Sequence, residues 1–179
     1  MGTSVMKKTG IMPAMLLLAA TCGCWPWNIK HKPVQPVTLK DYPELCAALE
    51  RNDLAQAVEG KVLVVAVWTR SCPYCVEQTI PHMKALYGNY HLQGLEIVGI
   101  NADSGLDRGA LERFISENRI NYPNIFDDGG IAKELKVDGY PTICIFDEKG
   151  VLVEDDFDPT DKKGLDELIA KLLIKEHER

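Results

Sequence analysis

The sequence lacks three features that would have assigned it to common classes of protein. Its 20 Lys and Arg residues against 26 Asp and Glu residues give a net charge of −6. This balance argues against a nucleic-acid binder, whose surface is normally basic. Six cysteines in 179 residues are too few for a disulfide-dense scaffold. The N-terminal apolar stretch, centred on Ile11–Ala20, is shorter than the roughly 20 residues that cross a membrane as a helix.

The composition is ordinary for a globular protein, with 46% hydrophobic and 26% charged residues. These fractions argue against a disordered or fibrous chain. The length is that of a single domain with a hydrophobic core of its own.

The N-terminus carries the pattern of an export signal. Lys7 and Lys8 precede an almost uncharged apolar stretch, so a secretory signal peptide is predicted over residues 1–21. Ala19-Ala20-Thr21-Cys22 is similar to a bacterial lipobox, which makes Cys22 a candidate for lipidation. Thr21 departs from the usual residue, and Cys24 offers a second register. An ordinary cleaved signal is the alternative. Residues 22–37, rich in proline, are predicted to be a tether to a domain over residues 38–179.

Strands and helices alternate along the rest of the chain. Val62–Trp68 and Leu95–Ile100 are short apolar runs typical of strands covered on both faces. Thr142–Phe146 and Val151–Val153 are predicted to form a hairpin. Amphipathic helices are predicted between Thr38 and Gly60, and over Cys72–Tyr87, Leu106–Asn118, Gly130–Leu135 and Leu165–Leu173. This order predicts an α/β fold with a mixed central sheet, helices on both faces and a parallel first pair of strands.

Cys72-Pro73-Tyr74-Cys75 lies where a buried strand ends and a helix begins. There the sulfur of Cys72 would face free backbone N–H groups and the positive end of the helix dipole. Both stabilise a thiolate, which is the nucleophile of disulfide exchange. Pro73 suits the first helical position, and Cys75 lies one turn further on the same face. Cys72 is therefore predicted to be the exposed attacking thiol, and Cys75 the covered resolving thiol.

A single CxxC motif has two other interpretations, a structural disulfide and half of a zinc site. Zinc usually needs four ligands, and the sequence has no second CxxC. No metal and no cofactor are therefore predicted.

A second motif, Gly139-Tyr140-Pro141-Thr142, precedes the predicted hairpin. Together with the strand-to-helix CxxC, it resembles the thioredoxin-fold family. Over about Gly60 to Leu173 the chain resembles the TlpA/ResA-type extracytoplasmic thiol–disulfide oxidoreductases. Other matching segments are 60–64, Asn124-Ile125-Phe126-Asp127, and Phe146-Asp147-Glu148-Lys149-Gly150. The resemblance implies a thioredoxin-like fold.

The resemblance also implies roles for particular residues. Cys72 would be the nucleophile and Cys75 the resolving thiol. Pro141 would be a cis-proline that shapes a substrate groove, and Tyr140 would offer backbone hydrogen bonds to the substrate. Trp68 would pack beside the dithiol. Simple core packing is the alternative for Trp68 and Tyr140.

The chain departs from the family pattern in two places. Thioredoxins carry a buried acid six residues before the first cysteine, where this sequence has Ala66. ResA-type relatives have a glutamate and then a proline soon after the second cysteine. Glu77 and Pro81 lie nearby at a shifted spacing, so Glu77 is a candidate proton relay or else a solvated helix residue. Pro73 and Tyr74, between the cysteines, would tune the redox potential.

Other candidate residues are interpreted structurally. Cys46 and Cys144 are expected to pack in the core, and a disulfide between them stays open. The histidines are scattered. The acidic segment around Glu154–Asp161 lacks the spacing of a known calcium loop and is interpreted as solvated charge.

These observations predict an exported thiol–disulfide oxidoreductase that reduces cysteine-containing exported proteins. It would work in the periplasm or at the outer face of a membrane, with or without a lipid anchor, and a membrane electron donor would re-reduce it. The alternatives are a disulfide oxidase or isomerase, a copper-delivery protein on the same fold, a peroxidase and a non-catalytic binding module. No nucleic-acid partner is expected.

Overall fold

The computed structural model of the protein describes residues 35–105 and 107–177. The predicted signal peptide and nearly all of the tether, including Cys22 and Cys24, lie outside these residues. The described chain is built on a five-stranded sheet of order β3-β2-β1-β4-β5. The strands are β1 Val62–Trp68, β2 Leu95–Asn101, β3 Asn124–Phe126, β4 Thr142–Phe146 and β5 Leu152–Glu154.

The sheet is mixed, as predicted. β1 runs parallel to β2, from Val62 opposite Leu95 to Trp68 opposite Asn101. β2 also pairs in parallel with β3, whereas β1–β4 and β4–β5 are antiparallel. The carboxyl ends of the three parallel strands therefore meet at one edge of the sheet, where loops can bring functional residues together.

Six α-helices of the described residues flank this sheet. They are α1 Pro43–Arg51, α2 Ala55–Val58, α3 Ile80–Tyr90, α4 Arg108–Glu117, α5 Gly130–Glu134 and α6 Lys162–His177. Among the described helices, none is long and apolar enough to cross a membrane.

The apolar run of β1 is buried on both faces by two separate clusters. Its even-numbered side chains pack with residues of α3, α4 and α6. Its odd-numbered side chains pack with residues of α1, α2 and α5. Successive side chains of a strand point to opposite faces, so a continuous apolar run needs cover on both. The prediction of helices on both faces is confirmed.

The first predicted helix is wrong in its continuity. A 3₁₀ turn at Leu39–Asp41 precedes α1, which begins at Pro43, and the helix stops at Arg51. Asp53 has φ 58°, in the left-handed region that a right-handed helix cannot include. The chain turns there and resumes as the short helix α2.

Smaller differences lie at other element ends. α4 begins two residues later than predicted because the Asp107 carboxylate caps it, accepting the Ala110 N–H at 2.7 Å. β5 lies one residue further along than predicted, next to an irregular register between Ile145 and Phe146. β3 was not predicted, since three residues are too few for a periodic pattern.

Candidate active site

The CxxC motif lies at the carboxyl end of β1. The Cys72 N–H donates to the Thr69 carbonyl at 3.4 Å, and the Val76 N–H donates to the Cys72 carbonyl at 3.2 Å. Helical structure then runs unbroken over residues 73–90, here called the motif helix, with a π-helical turn at Cys75–Thr79. Cys72 thus immediately precedes the helix, and Pro73 is its first residue, as predicted.

The two cysteines of the motif are joined by a disulfide bond but differ in accessibility. Cys75 is fully buried, whereas Cys72 is partly exposed. The Cys75 N–H donates to Cys72 Sγ at 3.1 Å. This N–H belongs to the first turn, whose donors have no partner within the helix. The arrangement supplies a donor and the positive end of the helix dipole to a negative charge on Cys72.

The loop before β4 faces the same sulfur. Cys72 Sγ lies 3.4 Å from the carbonyl oxygen of Tyr140. The Tyr140–Pro141 peptide bond is cis, which is the isomer that the resemblance implied. Thr142 holds the loop by donating its hydroxyl to the Gly139 carbonyl at 2.9 Å. The Tyr140 side chain is 42% exposed, so the core-packing alternative is wrong for this residue.

Trp68 is the last residue of β1 and lies four residues before Cys72. It is 1% exposed and lies in the same apolar cluster as Cys75. Its Nε1–H donates to Asn124 Oδ1 at 3.0 Å, and its ring lies 5.4 Å from that of Phe114. Trp68 is therefore a core residue in the same apolar cluster as the dithiol. Core packing and a place near the dithiol, the two interpretations that the sequence allowed, are compatible.

An anchor beneath the motif was missed by the sequence analysis. The Asp103 carboxylate accepts the Arg70 backbone N–H at 3.0 and 3.2 Å and the Arg70 Nε–H at 3.2 Å. It also accepts Asn101 Nδ2–H at 2.8 Å. Asp103 follows β2 by two residues, and β2 pairs in parallel with β1. An acid just beyond the neighbouring parallel strand was the available signal.

Three polar contacts tie one face of the motif helix to the start of α6. Their members on the motif helix are four residues apart, so they share one side of the helix. They join the Tyr74 hydroxyl to the Pro159 carbonyl (3.2 Å), Lys162 Nζ to Gln78 Oε1 (2.7 Å) and His82 Nε2 to Asp166 Oδ1 (2.7 Å). The Tyr74 hydroxyl thus reaches the segment just before α6.

Proton-transfer groups are sparse around Cys75. Ala66 is buried on β1, and Glu77 is exposed on the motif helix, which fits its interpretation as a solvated residue. Pro73 is also exposed. The Thr79 hydroxyl, four residues after Cys75, is buried and makes no hydrogen bond with the described residues. A π-helical turn often marks a functional site, and here it contains both Cys75 and Thr79.

The two remaining described cysteines, Cys46 and Cys144, are free thiols, so no disulfide joins them. Cys144 is 1% exposed in the middle of β4, and its thiol donates to the Asp155 carbonyl at 3.1 Å. Burial, with help from the Asp155 and Asp156 carboxylates, raises the pKa of Cys144 to about 12. Burial also raises the pKa of Cys46, whose thiol donates to the Leu39 carbonyl at 3.2 Å.

The acidic segment that begins at the last residue of β5 is solvent-exposed, as predicted: Glu154, Asp155, Asp156, Asp158 and Asp161 all lie at the surface. Within residues 35–105 and 107–177, no three His, Cys, Asp or Glu side chains come together as metal ligands.

A thioredoxin-like sheet with a CxxC disulfide at the junction between a strand and the following helix defines the class of thiol–disulfide oxidoreductases. Known proteins agree with this class. The redoxin family model matches residues 30–169. ResA of Bacillus thuringiensis subsp. konkukian, a thiol–disulfide oxidoreductase, is 29% identical over 174 residues, which cover 93% of this chain and 99% of ResA.

Two further proteins extend the comparison. ResA of Halalkalibacterium halodurans is 32% identical over 98 residues, about half of each chain (54%). Among solved structures, a secreted disulfide oxidoreductase of Mycobacterium tuberculosis, homologous to E. coli DsbE, has a TM-score of 0.54 at 25% identity. That match covers 66% of this chain and 87% of the other.

The chain therefore belongs to the redoxin family. Within that family it is similar to thiol–disulfide oxidoreductases of the ResA type, and the thioredoxin-like fold predicted from the sequence is confirmed.

Proposed function

We propose that this protein is an exported reductant of disulfide bonds in other exported proteins, with Cys72 as the nucleophile and Cys75 as the resolving thiol. The observation that carries the proposal is the asymmetry between the two sulfurs. Cys72 is reachable from solvent and accepts a backbone N–H at 3.1 Å, whereas Cys75 is fully buried. A substrate can therefore meet only the sulfur that the helix N-terminus stabilises as a thiolate.

The exchange proceeds in two balanced steps. The Cys72 thiolate attacks one sulfur of the substrate disulfide, the substrate S–S bond breaks, and the departing sulfur leaves as a thiolate. Cys75 then attacks Cys72 Sγ in the mixed disulfide and releases the second substrate sulfur. The substrate gains two electrons and the enzyme becomes the Cys72–Cys75 disulfide.

The Cys75 thiol must lose its proton in the second step. The family's buried acid is replaced by Ala66, and Glu77 is exposed to solvent. We propose that the substrate thiolate released in the first step accepts the Cys75 proton. This route needs no buried carboxylate and keeps the proton count balanced.

The Tyr140–Pro141 loop is proposed as the substrate groove. The Tyr140 carbonyl lies 3.4 Å from Cys72 Sγ, and Tyr140 is 42% exposed. An extended substrate segment passing Cys72 would find backbone partners there, as a strand adding to a sheet edge does.

Export and direction rest on the sequence and on the relatives. The predicted signal peptide over residues 1–21 supports export, and one similar structure is that of a secreted oxidoreductase. The resemblance to the ResA type supports the reducing direction, which requires a membrane electron donor to restore the dithiol. Lipidation at Cys22 is a further proposal that follows from the lipobox-like residues.

Trapping of the mixed disulfide tests the two cysteine roles. We expect a Cys75→Ser variant to accumulate a covalent complex with an oxidised substrate protein, because the second step is lost. A Cys72→Ser variant should form no complex, and Cys144→Ala should turn over normally. Non-reducing electrophoresis and mass spectrometry identify the linked cysteine. A complex formed through Cys75 or Cys144 would contradict the assignment.

The redox potential tests the direction. We expect equilibrium in glutathione buffers to give a value near that of thioredoxin, about −270 mV. A value near about −120 mV would make the protein an oxidant. Absence of any reversible dithiol–disulfide equilibrium would overturn the proposed function altogether.

A further inference from the structure

A cleft of about 680 Å³ opens beside the candidate substrate groove. It is called the acidic cleft here. Tyr140 and Pro141 form part of its wall, and Pro159, Val37 and Thr142 are among its other lining residues. The cleft therefore shares Gly139, Tyr140 and Pro141 with the loop that faces Cys72.

Two residues that line the acidic cleft, Tyr140 and Pro159, also contact the CxxC motif. The Tyr140 carbonyl lies 3.4 Å from Cys72 Sγ. The Tyr74 hydroxyl, from within the CxxC motif, donates to the carbonyl of Pro159 at 3.2 Å. The acidic cleft therefore borders the CxxC motif, and residues that neighbour a substrate cysteine at Cys72 can reach it.

Exposed apolar side chains concentrate at this cleft. Within the described chain, four large hydrophobic residues are strongly exposed, and two of them, Val37 (45%) and Tyr140 (42%), line it. Exposed apolar side chains grouped at a concave surface mark binding sites for other molecules. The cleft can therefore accept an apolar side chain of a partner.

The charged residues of the cleft are almost all acidic. One cation, Lys136, faces five acids, which are Asp41, Glu134, Asp138, Asp155 and Asp156. Asp41 and Glu134 hold backbone N–H groups of the 3₁₀ turn and of α1. The other three carboxylates are exposed and make no hydrogen bond or ion pair with the described residues. They are available to a partner.

The ionisation of Tyr42, another lining residue, responds to the same charges. Burial raises the pKa of Tyr42, followed by Cys144 and then by the Asp155, Asp41 and Glu134 carboxylates. The charge of these carboxylates thus acts on Tyr42 in the wall of the cleft. Low-dielectric walls focus such a potential on whatever enters.

We propose that the acidic cleft selects substrate proteins in which Lys or Arg, together with an apolar residue, flanks the reactive cysteine. The inference rests on the proposed function, since it assigns a substrate class to the same redox site. A basic segment gains attraction to three available carboxylates, and an acidic segment is repelled. The apolar flank packs on Val37 and Tyr140. The cleft thus sets which disulfides meet Cys72, while the dithiol performs the chemistry.

Three synthetic disulfide peptides test the inference. They share one apolar residue and one cystine and differ only in flanking Lys, Gln or Glu. The measured quantity is the second-order rate constant for oxidation of the pre-reduced enzyme. We expect the Lys peptide to react about tenfold faster than the Glu peptide at low ionic strength, with the Gln peptide between them. The ratio should fall toward one in about 1 M salt, where charges are screened beyond about 3 Å.

Two charge-matched variants locate the source of the preference. Asp138→Asn/Asp155→Asn/Asp156→Asn removes the three available carboxylates, and the Lys-to-Glu rate ratio should drop to about twofold or less. Glu59→Gln/Glu112→Gln/Glu117→Gln removes three exposed charges outside the cleft and should leave the ratio unchanged. Equal rates for the three peptides, a preference for Glu, or the same loss of preference in both variants would overturn the inference.

A neutral small disulfide, hydroxyethyl disulfide, separates this inference from the function on which it rests. If wild-type enzyme reduces it through Cys72 but ignores peptide charge, the acidic cleft has no role in selection and the proposed function stands. If neither the small disulfide nor any peptide is reduced, both proposals are wrong.

Discussion

Cys144 lies in a strand of the sheet and Cys72 lies in the loop that follows the neighbouring strand, and the environments of the two sulfurs are opposite. Cys144 is in the middle of β4, opposite Val65 of β1. Cys72 follows the end of β1 and immediately precedes the motif helix. A shift from the middle of a strand to the start of a helix therefore changes which backbone groups a sulfur meets.

The direction of the hydrogen bond differs between the two sulfurs. Cys144 donates its S–H to a backbone carbonyl, which favours the protonated thiol, and burial raises its pKa to about 12. Cys72 Sγ instead accepts a backbone N–H, which favours the thiolate. Cys72 Sγ also lies 3.4 Å from the Tyr140 carbonyl, so the feature that distinguishes it from Cys144 is the added N–H donor at the helix N-terminus.

Cys46 shows whether the exposure of a sulfur or its hydrogen-bond partner determines its pKa. It is only half-buried, as Cys72 is, but its thiol donates to the Leu39 carbonyl. Burial, followed by the Glu134 and Glu50 carboxylates, raises the pKa of Cys46. Partial exposure alone therefore does not lower the pKa of a cysteine in this fold.

The largest expected effect separates the two kinds of cysteine directly. Cys72→Ser should lower the rate of disulfide reduction by more than about 1,000-fold, because the nucleophile is lost. Cys144→Ala should leave that rate within about twofold and cost about 1 kcal/mol of stability for the lost packing. Reduction of a disulfide peptide and urea unfolding give the two quantities. If the Cys144→Ala variant also lost disulfide reduction, the assignment of Cys144 as a core residue without a part in exchange would be wrong.

The packing around Trp68, which lies in the same cluster as Cys75, is the next feature to test. A Cβ on Gly99 would overlap the Asn124 side chain and come within 3.1 Å of Trp68 Nε1. Gly99→Ala should therefore break the Trp68–Asn124 hydrogen bond and lower the free energy of unfolding by about 1–3 kcal/mol.

Gly88 is the matched control for this substitution. It lies within α3, and a Cβ there would meet only Asn121 Nδ2, at 3.9 Å. Gly88→Ala should raise the free energy of unfolding by about 0.5–1 kcal/mol, because glycine is a poor helix former. Equal effects of the two substitutions on the free energy of urea unfolding would mean that the close packing of Gly99 against Asn124 and Trp68 does not contribute to stability.

Asp103→Asn tests the anchor of the motif loop. It weakens the carboxylate contacts to Arg70 and Asn101, so we expect about 1 kcal/mol lower stability and a rate of exchange about threefold lower. Asp107→Asn keeps an equally good helix cap and should change neither quantity. If Asp103→Asn lowers stability without slowing exchange, Asp103 has only a structural role.

The smallest effect concerns pH and Cys144. The pKa of its thiol is 9.0 ordinarily and about 12 in the folded protein. Above pH 9 the unfolded chain releases this proton while the folded chain keeps it, so the stability present at neutral pH is lost as the pH rises toward 12. Wild type should lose about 1 kcal/mol more than Cys144→Ala between pH 8 and about 10. Equal losses of stability in wild type and Cys144→Ala, measured by urea unfolding, would contradict the explanation that burial raises the pKa of Cys144.

The sequence predicted those parts of the fold that rest on local pattern. β1, β4 and the start of the motif helix carry strong signals, since a β-branched apolar run and a Cys-Pro pair at a strand end each favour one structure. The predicted exposure of Cys72 and burial of Cys75 followed from one turn of helix. These features need no knowledge of distant residues.

The missed features depend on contacts between distant segments. Asp103 anchors Arg70 across 33 residues, and Asn124 binds Trp68 across 56. The break at Asp53 depends on a left-handed backbone conformation that an aspartate does not reveal in sequence. The acidic cleft likewise joins residues from the N-terminal turn, α5 and the segment after β5, and its lining could not be assembled from sequence alone.

Alkylation of the reduced protein by iodoacetamide at pH 7, followed by mass spectrometry of each cysteine, tests the central claim most directly. A protein in which an N–H donor makes Cys72 the nucleophile should be modified at Cys72 more than about 100-fold faster than at Cys144. Cys75 should be protected by its burial. Modification of Cys144 or Cys75 at the rate of Cys72 would contradict the account, because the environment of the sulfur would then not decide its reactivity.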